Sequence, residues 1–222
     1  MLFYWGVAMN VAVTQHLTNF AQLVKNYTER FAAMPVDLQG SIHGTLRPNQ
    51  YICQHPNQLI AYNALFANQH RAKLIDLFDF VFGDFIKKEK ISTLKNCQHP
   101  ISVIDYGCGQ GLASVVLQEY NREQQLAYQF NEVILIEPSA LALQQAVKHN
   151  SLHCPQVTAK CTKFANLSVQ DLVTQHDIII HLLSNVLDLP TIDVTALANC
   201  IKQSLSGELV SKRYYWHELG LF

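Results

Sequence analysis

The chain changes rhythm once along its length. Up to about residue 100 the apolar positions recur with helical spacing, and beyond it they gather into short unbroken runs. An amphipathic stretch covers 14–33. A second helical run extends from 57 to 88, with Leu59, Ile60, Leu65, Phe66, Leu74, Leu77, Phe78 and Val81 on its apolar side. Between them, 34–58 reads as one polar loop broken by Pro35, Gly40, Gly44, Pro48 and Pro56. Roughly 25 residues is long for a connection and marks the segment as functional or disordered. We expect it to form a lid or part of a substrate pocket, with Arg47, Tyr51 and His55 as its contacts. Polar residues from 87 to 98 then lead to Pro100. This predicts a helical N-terminal extension over 1–100 and a second unit over 101–222.

In the second unit, β-rich runs occupy 102–106, 132–137, 157–161 and 177–182, separated by helix-like stretches of which 111–126 and 139–150 are the clearest. Nearly all-apolar strands of five or six residues suit a parallel sheet covered on both faces. Their alternation with helices predicts an α/β fold with a doubly wound, mostly parallel sheet. After the fourth run, 191–205 reads as a helix and 208–216 as a fifth strand, although Lys212 and Arg213 suit the middle of a buried strand poorly. The expectation is about five strands with an uncovered edge, where a partner chain can pair.

Composition narrows the function classes. Of 222 residues, 49% are hydrophobic and 15% charged, enough apolar material for a sizeable core. Sixteen basic against seventeen acidic side chains leave no electrostatic footprint for a duplex nucleic acid. Small-molecule or protein substrates are favoured. Six cysteines without a C-x-x-C pair read as reduced thiols of a cytoplasmic protein. The apolar start, 1–13, is shorter than the ~20 residues a membrane span requires and lacks the basic head of a signal peptide; Met9 is an alternative start. His149, His153 and Cys154 are spaced as metal ligands can be, but no fourth ligand stands nearby, so no metal is expected.

The segment 103–111 carries the chemistry: a strand, Val103-Ile104-Asp105-Tyr106, running into Gly107-Cys108-Gly109-Gln110-Gly111 and then a helix near Leu112. Glycines let the backbone approach a ligand and adopt positive φ, and the helix N-terminus offers free N–H groups. A dinucleotide fingerprint would require a small residue at 112, where Leu112 stands. Glu137 ends the second strand, where a carboxylate can accept both hydroxyls of a ribose. That position supports nucleoside binding without choosing the cofactor. Ser139 follows as a helix N-cap.

The pattern D-x-G-x-G-x-G resembles the first motif of the class I S-adenosylmethionine-dependent methyltransferases. The resemblance covers 101–190 and implies a Rossmann-like fold with S-adenosyl-L-methionine as cofactor. It places Gly107, Gly109 and Gly111 along the methionine part, Asp105 as the acid that orders the loop, and Glu137 on the ribose. The acid that in this family follows the third strand and reads the adenine amino group is replaced by Thr162-Lys163-Phe164. Side chains just past the fourth strand face donor and acceptor in the family, which makes His181, Ser184 and Asn185 the catalytic candidates. Neither N-P-P-Y nor Pro-Cys is present to name the acceptor. The family's full sheet also has more strands than the residues after 182 can build. The unit is therefore expected to be incomplete at its C-terminus and weakly active unless a partner completes it. Two other readings stay open: a non-catalytic methyltransferase-like binding protein and an NAD-linked oxidoreductase.

Overall fold

The computed structural model describes residues 19–46, 53–85, 99–126, 128–184, 186–187, 189–205 and 213–215. Its centre is a five-stranded sheet: β1 (Pro100–Tyr106), β2 (Gln129–Ile136), β3 (Gln156–Lys160), β4 (Ile178–Leu182) and β5 (Arg213–Tyr215), in the order β3-β2-β1-β4-β5. All four neighbouring pairs are parallel. The fold is α/β, doubly wound and Rossmann-like. The chain reverses its direction of travel across the sheet between β1 and β4, and such a switch point opens a crevice beyond the carboxyl ends of the strands. No helix among the described residues is long and apolar enough to cross a membrane.

Strand alternation divides the core in two. Ile101 and Val103 of β1 and Val133 and Leu135 of β2 face one side, while Ile104, Tyr106, Ile134 and Ile136 face the other. The N-terminal helices α1 (Phe20–Ala32) and α3 (Pro56–Phe78) share the first side with α4 (Leu112–Glu123) and α5 (Ala140–Asn150). The second side is covered by α6 (Val194–Leu205), through Leu197 and Ile201. The helical extension is thus built onto the sheet's own core. Phe78 and Phe82 pack on Tyr120 of α4, the Tyr120 hydroxyl donates to Asp79 at 2.8 Å, and Glu119 accepts the N–H of Phe20 at 3.0 Å.

The Ser139 hydroxyl caps α5 as expected; Asn19 caps α1 by accepting from the N–H of Gln22, and Pro56, expected in a loop, opens α3. The polar loop expected over 34–58 is not one. Val36–Thr45 forms α2, entered at Pro35. Leu38, Ile42 and Leu46, four residues apart, pack with Ala61, Tyr62 and Phe66 of α3 and so hold a helix that its two glycines would weaken. Arg47 and Tyr51 lie outside the described residues. β5 falls within the predicted 208–216, and no strand beyond it occurs among the described residues.

Candidate functional site

Each glycine of the loop after β1 has positive φ: 60° at Gly107, 53° at Gly109 and 73° at Gly111. Their surroundings differ. A Cβ on Gly107 would come within 2.5 Å of Val186, and one on Gly111 within 2.5 Å of Asn150 and 3.0 Å of Ala146. A Cβ on Gly109 would meet nothing within 4 Å. Gly107 and Gly111 are therefore glycines because the protein packs against them, and Gly109 is the point where the loop faces open space.

Two carboxylates hold this loop from below. Asp105, 1% exposed, accepts the N–H of Ser114 at 3.2 Å. This N–H lies in the first turn of α4, whose N-cap, Gly111, has no side chain to offer. An acid two residues before the first glycine thus does the work of a cap. Burial pushes its carboxyl up to about 7, and the Ser114 bonds pull the other way. Glu137, one residue beyond β2, accepts from Gly109 N–H at 3.1 Å through Oε2 and from Ser139 N–H at 2.9 Å through Oε1. Burial raises its pKa, against those two bonds. The Cys108 N–H on Ile136 carbonyl, 3.0 Å, completes the tie between loop and β2.

The start of α3 closes over the same corner. The Cys53 carbonyl accepts from the Ser139 hydroxyl. Burial raises the Cys53 thiol to about 11 and the Tyr62 phenol to about 12, and Glu137 is close enough to add to both. Gln110, between Gly109 and Gly111, points inward. Its amide donates to the Leu59 carbonyl at 3.0 Å, and its side-chain oxygen accepts from Asn63 at 2.9 Å. Asn63, His149 and Asn150 belong to this arrangement, and sequence reasoning missed them there. For Asn63 a signal existed, since it follows Leu59 and precedes Ala67 at four-residue steps on the inward side of α3. His149 lies between the Gln110 carbonyl and Tyr27, and the Cys154 thiol bonds the carbonyls of Phe130 and Gln156. Among the described residues no three His, Cys, Asp or Glu side chains converge as a metal site.

Of the three candidates at the end of β4, His181 is bonded inside the core. His181 lies within the strand, opposite Ile104 of β1. It is 5% exposed, its Nδ1 is 3.0 Å from the Tyr106 hydroxyl, and the two rings stack at 5.8 Å. Burial lowers its pKa to about 4, so it is neutral at physiological pH. Ser184 is a half-buried turn residue two positions after β4, and Asn185 lies outside the described residues. Phe164, in the short helical turn after β3, stands with a ring atom 3.4 Å from the Cβ position of Gly107.

No known family profile matches the chain, and no curated protein matches it. Among solved structures it is similar to a Listeria monocytogenes protein provisionally described as a class I S-adenosylmethionine-dependent methyltransferase. The TM-score is 0.34 and the identity 14%, over 74% of this chain and 58% of the other. The chain spans less than two thirds of that neighbour's length.

Proposed function

We propose that the chain binds S-adenosyl-L-methionine at the carboxyl ends of β1 and β2 and is a methyltransferase. The observation that carries this reading is Gly109. It has left-handed backbone, open space where a side chain would stand, and its N–H on the carboxylate at the tip of β2. A ligand with a hydroxylated sugar and an extended polar tail fits such a corner. Gly107 and Gly109 would lie along the tail, Glu137 would take the sugar hydroxyls, and Phe164 would offer an apolar face for the base in place of the missing acid. Bound there, the cofactor supplies an electrophilic methyl carbon on a sulfonium.

The chain's residues contribute placement and exclusion of water. Asp105 keeps the loop on α4 without touching the ligand, and Cys53, just before α3, borders the corner through its bond with Ser139. His181 is committed to Tyr106, and neither the Ser184 hydroxyl nor the Asn185 amide is a base, so the acceptor that fits is one that reacts without losing a proton first, with Ser184 and Asn185 left to orient it. A small molecule or a protein side chain is the acceptor class that the balanced charge favours. Free thiols at all five described cysteines suit the cytoplasm. The enclosure of His181 favours a second reading, in which the protein binds the cofactor without turnover.

Calorimetric titration of the full chain with S-adenosylmethionine, its demethylated product and NADH tests the assignment. Binding of the first two and not NADH is expected; NADH alone binding would replace it with the oxidoreductase reading. A tritiated-methyl screen over small molecules, protein and RNA then separates enzyme from binder.

A further inference from the structure

We propose that Gln110 is a positioning residue through which α1 and α3 set the shape of the glycine loop, so that ligand affinity at Gly109 depends on those helices being docked. This deepens the cofactor reading above and rests on it. Gln110 is 3% exposed and flanked by two glycines of positive φ, so the backbone around it has few local restraints of its own. Three contacts from two other elements restrain it instead. Two belong to α3: the Leu59 carbonyl and the Asn63 amide. The third is His149 on α5, whose Nδ1 lies 2.9 Å from the Gln110 carbonyl.

The last contact extends the chain of bonds to α1. A carbonyl oxygen can only accept, so His149 Nδ1 carries the hydrogen and its Nε2 is left as an acceptor. The Tyr27 hydroxyl, 3.1 Å from Nε2, is therefore the donor. The order is Tyr27 to His149 to Gln110, and each link has one direction only. His149 is 5% exposed and kept neutral by burial, the state this arrangement requires. An apolar residue at 110 would fill the same volume without partners. A buried amide with its partners in place fixes one loop conformation. The inward turn of Gln110 is the counterpart of Gly109 facing out.

Coupling between two sites is reciprocal. If the docked helices raise affinity at Gly109, the ligand must in turn steady the helices. The test uses the full chain and four variants: Gln110→Leu, Tyr27→Phe, His149→Leu and His149→Asn, the last keeping an N–H for the Gln110 carbonyl. Amide hydrogen exchange is followed over 107–114, 20–32 and 56–67, with and without S-adenosylmethionine, alongside its Kd and the urea midpoint. In Gln110→Leu and His149→Leu we expect exchange of 107–114 to quicken, and affinity to fall by about fivefold or more, the scale of modest site coupling. The urea midpoint should fall as well, since each of these variants strands buried partners, and His149→Asn should restore part of the affinity and of the loop protection. Cofactor should slow exchange in 20–32 and 56–67 of the natural protein and lose that effect in Gln110→Leu. Unchanged loop exchange and affinity in all four variants would overturn the proposal. Tyr27→Phe, which removes one hydroxyl, keeps it open to refutation should the larger changes prevent folding. If the natural protein binds no S-adenosylmethionine, the cofactor reading fails, and loop exchange in the unliganded variants still judges the clamp.

Discussion

The carboxylate of Glu137 accepts the backbone N–H of Gly109, twenty-eight residues earlier in the chain, at 3.1 Å. The residue expected to hold a ligand's sugar therefore also holds the loop that the ligand would lie on. Glu137→Ala should strand the N–H groups of both Gly109 and Ser139, at about 1–3 kcal/mol for each buried group left unpaired. It should also weaken S-adenosylmethionine by a similar amount. Glu137→Gln keeps one acceptor oxygen and should lie between. Urea denaturation with calorimetry on both variants reads the two losses separately, and equal affinity in all three proteins would remove Glu137 from the site.

The three loop glycines should divide by what their replacement damages. Gly107→Ala and Gly111→Ala drive a methyl group to within 2.5 Å of Val186 and Asn150, so each should lower the unfolding midpoint markedly. Gly109→Ala meets no neighbour and should cost only the left-handed strain, about 1–2 kcal/mol. Bulky replacements at Gly109 should abolish ligand binding in a protein that still folds. A Gly109→Phe variant that binds as tightly as the natural chain would contradict the assignment of the open side.

His181 should contribute stability that acid removes. Its folded pKa, about 4, lies below the ordinary 6.5. The unfolded chain therefore takes up a proton first as pH falls. The stabilisation from neutral His181 is complete above 6.5 and is lost as pH drops towards 4, roughly 3 kcal/mol in total at 1.4 kcal/mol per unit. Asp105 works in the opposite sense. Its carboxyl is raised from 3.8 to about 7, so it adds stability as pH falls from 7 towards 3.8. Comparing the natural protein with a Tyr106→Phe, His181→Leu double variant isolates the first effect. The stability difference between the two proteins should shift by about that amount against the natural protein from pH 7 to 4, and parallel curves would show that His181 does not titrate there.

Docking of α1 should depend on Glu119, which accepts from Phe20 N–H at 3.0 Å and from Arg71 at 3.5 Å. Glu119→Ala should cost about 1–3 kcal/mol by leaving the Phe20 N–H unpaired. Glu119→Gln keeps an acceptor and loses only a partly exposed ion pair, worth about 1 kcal/mol or less. The difference should be visible in urea midpoints, with faster exchange in 20–32 for the alanine variant.

What could be read from the sequence was what depends on near neighbours. Apolar runs announced β1, β2 and β4, since strands buried on both faces are largely apolar. Ser139 was legible as a cap because a cap bonds within its own helix turn. The glycine spacing located the loop because positive φ is a local demand. α2 was not legible. Gly40 and Gly44 weaken it as an isolated segment, and it is held by Leu38, Ile42 and Leu46 on α3, a contact between elements that no local pattern contains.

Sequence alone determined the α/β alternation, the position of the glycine loop and the acids at 105 and 137, because these follow from periodicity and residue chemistry. Tertiary structure decided which glycine faces open space, since that depends on Val186, Asn150 and Ala146 arriving from elsewhere in the chain. It also decided that His181 pairs with Tyr106 inside the core, because parallel register sets His181 opposite Ile104, within the strand and not at its tip. And it turned Gln110, a residue between glycines, into the meeting point of α3 and α5, with α1 one bond further on through His149. Hydrogen-bond partners 39 to 51 residues away in the chain are chosen by packing, and packing is written in no single stretch of the sequence.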